Sequence, residues 1–175
     1  MDRLRCGFSL ALAVAMLSLT DAASGASAQE VLARGPVTNL PMPRFVSIRA
    51  DHANARRGPG LDYRIDWEFV RRGLPVKVVA EHGQWRRVQD AEGYGGWVHQ
   101  SLISGVRTGL VTGEENVPML ADPEVGADVR AEAEPGALVQ LETCFGDWCE
   151  VRAGGHEGWL ERSALWGVRA DEEFD

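Results

Sequence analysis

The sequence predicts an all-β protein built from two tandem copies of one small unit, and three observations carry that prediction. First, the chain repeats itself. Asn54-Ala55-Arg56-Arg57-Gly58-Pro59-Gly60, Gly83-Gln84-Trp85, and Gly96-Trp97-Val98 with Ser101 return as Asn116-Val117-Pro118, Gly146-Asp147-Trp148, and Gly158-Trp159-Leu160 with Ser163, at an offset of about 62 residues. Second, short β-branched runs recur between Gly-rich turns, which favours a small barrel or sandwich over a helical fold. Third, only Asp62 to Arg72 offers room for a helical turn.

Taken in order, residues 1–28 read as a secretory signal peptide. Arg3 and Arg5 charge its start, Gly7 to Leu19 form a short apolar run, and Ala26-Ser27-Ala28 ends it with small residues, placing cleavage between Ala28 and Gln29. The apolar run is shorter than the roughly 20 residues of a spanning helix, so no retained membrane anchor is expected. Residues 29–43, with Gly35, Pro36, Pro41 and Pro43, read as an extended lead-in with little packing of its own. The first copy, 44–106, opens with the alternating strand Phe45-Val46-Ser47-Ile48-Arg49 and continues with Val76 to Ala80, Gln84 to Gln89 and Gly95 to His99. The second copy, 107–170, repeats the plan with Val117 to Leu120, Ala137 to Glu142, Trp148 to Arg152 and Gly158 to Glu161. Residues 171–175 read as a frayed acidic tail.

After cleavage only Cys144 and Cys149 remain, an even number in an exported chain, and a disulfide between them is expected. The register is open. A two-residue Gly146-Asp147 loop would set the cysteines opposite each other with Cα atoms about 4.5 Å apart. Pairing Leu141 with Val151 implies instead a three-residue loop, which offsets them.

The net charge of −8 divides unevenly. Residues 44–106 hold 10 Lys/Arg against 7 Asp/Glu, whereas residues 107–175 hold 5 against 16. This divergence reads first as solubility with mutual attraction between the copies, and secondly as a first copy suited to an anionic partner. Nucleic acid is not an expected partner, since the protein is exported, acidic and without a dense basic stripe.

Asn54-x-Arg56-x-Gly58-Pro59-Gly60-x-x-Tyr63, the Gly73 turn, the Val76/Val78 strand, Trp85-x-x-Val88 and Gly96-Trp97-Val98 together resemble the bacterial SH3-like domain family. The first copy matches well and the second is degenerate. The resemblance implies two five-stranded barrels that bind cell-wall peptides or partner proteins rather than catalyse. It also implies a periplasmic location of the kind found among exported proteins of Gram-negative bacteria. Trp85 matches the position of the peptide-binding tryptophan of animal SH3 domains. Where their proline-binding groove keeps a proline and a tyrosine, this chain has His99 and Leu102, and the second copy has Glu161 and Ala164, a departure that points away from polyproline ligands.

The residues support a binding surface on their own terms. The period of two along Trp85-Arg86-Arg87-Val88 turns Val88 inward and Trp85 outward. An exposed indole near a tyrosine forms a flat apolar platform with polar edges, suited to an extended peptide. The expected ligand-binding residues are Tyr63, Trp85, Arg57, Arg87 and His99. Catalysis is not expected, because His52, His82, His99 and His156 are scattered over different turns and no nucleophile, base and orienting group converge. Zinc at Cys144, Cys149 and His156 lacks a fourth ligand, so no metal and no cofactor is expected. The expected function is non-catalytic recognition of a cell-wall (peptidoglycan) peptide or an extended protein segment. The alternative is a structural adaptor presenting an acidic face to another periplasmic protein.

Overall fold

The computed structural model describes residues 33–175; the signal peptide expected at 1–28, the cleavage expected between Ala28 and Gln29, and the start of the lead-in lie outside them. The described chain begins with a hairpin of β1 (Ala33–Arg34) and β2 (Pro41–Met42). A first antiparallel sheet follows, made of β3 (Arg44–Ile48), β4 (Ala53–Arg56), β5 (Ile65–Phe69), β6 (Pro75–His82), β7 (Trp85–Gln89), β8 (Gly95–His99) and, after a 3₁₀ turn, β9 (Ile103–Ser104). The second sheet contains β10 (Thr108–Val111), β11 (Val117–Leu120), β12 (Val129–Ala133), β13 (Leu138–Phe145), β14 (Trp148–Ala153), β15 (His156–Glu161) and, after another 3₁₀ turn, β16 (Leu165–Trp166).

The strand orders are β5-β4-β8-β7-β6-β3-β9 and β12-β11-β15-β14-β13-β10-β16. They are the same order with each strand replaced by its equivalent seven places later, so the duplication read in the sequence is a duplication of topology. Each sheet curls around its own core. Ile48, Ala53, Ala55, Phe69, Val76, Val78, Val88 and Val98 fill the first. Val111, Met119, Val139, Leu141, Val151, Leu160 and Leu165 fill the second, together with the cysteines. The all-β tandem architecture therefore holds.

Four local readings change. Asp62 to Arg72 contains β5 rather than a helical turn, because Ile65-Asp66-Trp67-Glu68-Phe69 alternates apolar and polar residues with the period of a strand. β10 and β12 were not anticipated; the first carries a glycine at a packed position, and the second is the polar run Val129-Arg130-Ala131-Glu132-Ala133. The lead-in is not loose over its described part. The tip of the β1–β2 hairpin clasps the buried carboxylate of Glu81, to which Val37 N–H, Thr38 N–H and the Thr38 hydroxyl donate at 3.0, 2.9 and 2.6 Å. Nor is the acidic tail frayed: Phe174 exchanges backbone hydrogen bonds with Cys144 at 2.9 and 3.2 Å, and Glu172 pairs with Arg107.

Cys144 and Cys149 are joined, with Cα atoms 4.2 Å apart. The loop has two residues, not three, and both expected pairings coexist because a bulge at Glu142 inserts one residue into β13. Leu141 pairs with Val151 below the bulge, and Cys144 pairs with Cys149 above it, across the two-residue Gly146-Asp147 loop. The same irregularity falls at Val79 in the first copy.

The two barrels touch along one seam within a single compact unit. Ser47 Oγ donates to Val106 O at 2.6 Å and lies 2.6 Å from Thr108 Oγ1, which donates to Gly73 O at 2.7 Å. Phe45 meets Trp166 edge-on, with centroids 5.1 Å apart, and Lys77 Nζ lies 5.1 Å from the same indole. Among the described residues no ion pair crosses the seam. The charge difference between the copies thus does not act through paired side chains there.

Candidate functional site

The site forms on the outer face of the first barrel, where β4, β8 and β7 lie side by side. Gly83, at φ 50°, makes the tight turn between β6 and β7. Beyond it the pleat sends Arg86 and Val88 inward and leaves Trp85 half-buried and Arg87 exposed. Trp85 pairs across the ladder with His99, Arg87 with Trp97, and Trp97 in turn with Arg56 of β4. Cross-strand partners share a face of the sheet, so these five side chains share one surface.

Hydrogen bonds fix the histidine on this face. His99 Nδ1 accepts from Ser101 N–H at 3.3 Å and meets Ser101 Oγ at 2.7 Å. These contacts leave Nε2 as donor to Gln84 Oε1 at 3.0 Å. The imidazole stands edge-on to the Trp85 indole at 5.4 Å and 81°, a favoured arrangement for aromatic rings. Arg86, 4% exposed, lies beneath; its Nη1 donates to the carbonyls of Gly83 and Trp85 at 2.7 and 2.9 Å, and Nη2 donates to Gln100 Oε1 at 3.1 Å. The turn that carries Trp85 is therefore braced from inside.

Tyr63 borders the face through its loop. Arg56 Nη1 donates to Leu61 O and Tyr63 O at 2.9 and 2.7 Å, tying the loop from Arg57 to Arg64 to β4. The phenol, 48% exposed, folds over Gly58, where any Cβ would overlap the ring. Glycine is required there by close approach. Arg57 is exposed and lies outside the ladder pairs that build this face. Its Nε donates to Asp66 at 3.0 Å, and Arg64 binds the other oxygen of that carboxylate at 2.6 Å. Hydrogen bonds from Arg57 and Arg64 hold Asp66 below the usual carboxylate range.

Of the predicted residues, Trp85, His99 and Arg87 thus come together, Tyr63 lies on the adjoining loop, and Arg57 is committed to an ion pair. Sequence reasoning missed Arg56 and Trp97 as members of the face; the ladder register was needed to place them. It also missed Trp67 and Tyr94, whose rings stack at 4.7 Å and 10° while remaining 38% and 53% exposed. The apolar alternation of β5 was the available signal for Trp67. Among the described residues no group of three His, Cys, Asp or Glu is placed to hold a metal.

The second barrel carries the equivalent pair, Trp148 opposite Glu161. There the pair borders a cleft of about 500 Å³, whose wall also includes Val125, Asp147, Ser163 and Val168.

A profile of the bacterial SH3 domain matches residues 49–105 and 113–167. YrvJ of Bacillus subtilis (strain 168), assigned as an N-acetylmuramoyl-L-alanine amidase, is 26% identical over 142 residues, which cover 70% of this chain and 27% of YrvJ. Among solved structures, NlpC2 from Trichomonas vaginalis is 10% identical over 71% of this chain and 48% of its own, with a TM-score of 0.33. A protein assigned as an autolysin from Listeria monocytogenes is 15% identical over 71% of this chain and 62% of its own, with a TM-score of 0.31. The chain spans less than two thirds of the length of each of these proteins. The two profile matches fall one on each barrel and together cover more than half of the sequence, so the chain belongs to the bacterial SH3 domain family, in two tandem copies.

Proposed function

We propose that the first barrel is a non-catalytic recognition module for a cell-wall (peptidoglycan) peptide, acting in the periplasm after export. The observation that carries this reading is the outward face of Trp85, His99, Arg87 and Trp97. The indole gives an extended chain an apolar platform, while Gln84 and Ser101 hold the imidazole upright as a wall. Arg87, exposed at the same face, suits a peptide carboxylate. The named activity of YrvJ supports cell wall as the setting. Peptide capture on a preformed face loses little conformational entropy, because the braced turn is ordered before the ligand arrives.

Purified cell-wall sacculi are the direct test. The native protein should co-sediment, and Trp85→Ala should reduce the retained fraction about tenfold, as expected for loss of an aromatic anchor. Equal retention of both proteins removes Trp85 from the site.

A second reading, an adaptor for another exported protein, is favoured by the stack of Trp67, on the outermost strand β5, with Tyr94 of the turn between β7 and β8. A photo-crosslinking residue at position 67 would then recover one defined protein partner while Trp85→Ala leaves that product unchanged.

A further inference from the structure

The two barrels share a scaffold and differ at its rim. In the first, Gln84 and Ser101 each hydrogen-bond to His99, so both ring nitrogens of the imidazole are satisfied. The equivalent positions in the second barrel are Asp147, Glu161 and Ser163. Two carboxylates have acceptors and no donor when ionised, so Asp147 and Glu161 cannot replace the Gln84–His99 bond. Ser163 Oγ donates to Glu161 Oε2 at 3.3 Å. Among the described residues neither carboxylate has a cationic partner.

Both carboxylates and the half-buried Trp148 line the same cleft of about 500 Å³. The cation nearest in sequence, Arg162, is 8% exposed and lines the cleft too. Its guanidinium is turned to backbone carbonyls, with Nε donating to Gly146 at 2.8 Å and Nη1 to Arg169 and Glu172 at 2.7 and 2.6 Å. It stabilises the wall and leaves the two carboxylates open to an outside donor.

We propose that this cleft is a second binding site, one that takes a primary ammonium group carried on a peptide side chain. Asp147 and Glu161 accept its N–H donors, and Trp148 receives the alkyl stem and the edge of the charge. An ammonium group brings three donors and no acceptor, which matches a rim of acceptors beside an indole face. The field of the second copy, 5 Lys/Arg against 16 Asp/Glu over residues 107–175, draws such a ligand in. This site is independent of the face around Trp85, which presents arginine.

The test uses the full chain and a capped Ala-Lys-Ala peptide, with the Nε-acetylated peptide as its uncharged counterpart, followed by the indole N–H resonances. The lysine peptide should shift the Trp148 signal saturably. Acetylation, or the D147N/E161Q double substitution, should weaken the interaction about tenfold. Both substituted positions are exposed, so the variant keeps the native fold, and Trp85→Ala should titrate like the native protein. The proposal is overturned if the acetylated peptide titrates equally, if D147N/E161Q binds as the native chain does, or if the shifts fall on Trp85 instead of Trp148.

Discussion

Glu81 shows how one residue can organise a terminus. Its side chain is fully buried yet ionised, because Arg44 Nη2 donates to it at 2.7 Å and the hairpin tip supplies three further donors. Burial alone would raise its pKa; hydrogen bonds from Thr38, Arg44 and Val37 outweigh it and bring the group from 4.5 down to about 2. Gly35 belongs to the same device, since a Cβ there would overlap the Glu81 carboxylate. A folded pKa below the unfolded one means that the ionised form stabilises the native state. That stability is fully present above pH 4.5 and is lost as pH falls toward about 2; a shift of this size corresponds to about 3 kcal/mol. Glu81→Gln keeps one acceptor and loses the charge, leaving Arg44 and Arg86 without their counter-ion. It should cost about 2 kcal/mol at neutral pH and flatten the acid limb of stability between pH 5 and pH 2. Urea unfolding across that range reads both effects, and an unchanged acid limb would show that other carboxylates control it.

The two copies solve one structural problem with different chemistry at the scale of the hairpin. The pair Glu81–Arg86, 3.6 Å apart, occupies the ladder position that the disulfide Cys144–Cys149 occupies in the second barrel. Terminal segments dock beside each: the N-terminal hairpin on Glu81 and Phe174 on Cys144. The bulge at Glu142 resets the register between Leu141 and the cysteines. Deleting Glu142 removes the extra residue and makes the ladder regular, with Leu141 still opposite Val151 and Cys144 still opposite Cys149, so the variant should remain fully oxidised in a thiol titration. Two free thiols in that variant would show that the bulge, and not the two-residue Gly146-Asp147 loop, holds the cysteines opposite each other. Bulges were the part of these elements that sequence could not supply. The period of two was legible in Trp85-Arg86-Arg87-Val88 and placed Trp85 outward, and the repeat exposed the duplication. An inserted residue leaves no compositional mark, so two readings of the β13–β14 loop stood until the ladder was seen. The hairpin at 33–43 was illegible for a related reason: its order comes from Glu81, some forty residues away, and its own sequence, rich in proline and glycine, reads as a linker.

Across the whole molecule, the charge contrast between copies suggested electrostatic attraction, yet the seam is built from hydroxyls and rings. Trp166 is its centre: the last strand of the second barrel ends on it, Phe45 of the first barrel meets it edge-on with centroids 5.1 Å apart, and Lys77 lies over it. The Ser47–Thr108–Gly73 relay adds three short hydrogen bonds with Val106 at the crossing. Arg71 Nη1 reaches Gly136 O at 2.9 Å from the first barrel to the second. Each barrel has its own core, so each is capable of a separate transition, and the seam decides whether they unfold together. Truncating Trp166 to alanine removes the aromatic pair, the cation contact and much of the apolar burial at once, a loss of about 3 kcal/mol. Calorimetry of the native chain should then give one transition, and Trp166→Ala should give two, the barrels having become thermodynamically independent. Trp166→Phe is the matched control. The indole Nε1 is buried without a hydrogen-bond partner among the described residues, so phenylalanine keeps the ring contact with Phe45 and removes an unsatisfied donor. That variant should retain the single transition with a midpoint close to the native one, and two transitions in it would locate the coupling in what the indole alone supplies, its larger area and the Lys77 contact, instead of the ring pair with Phe45.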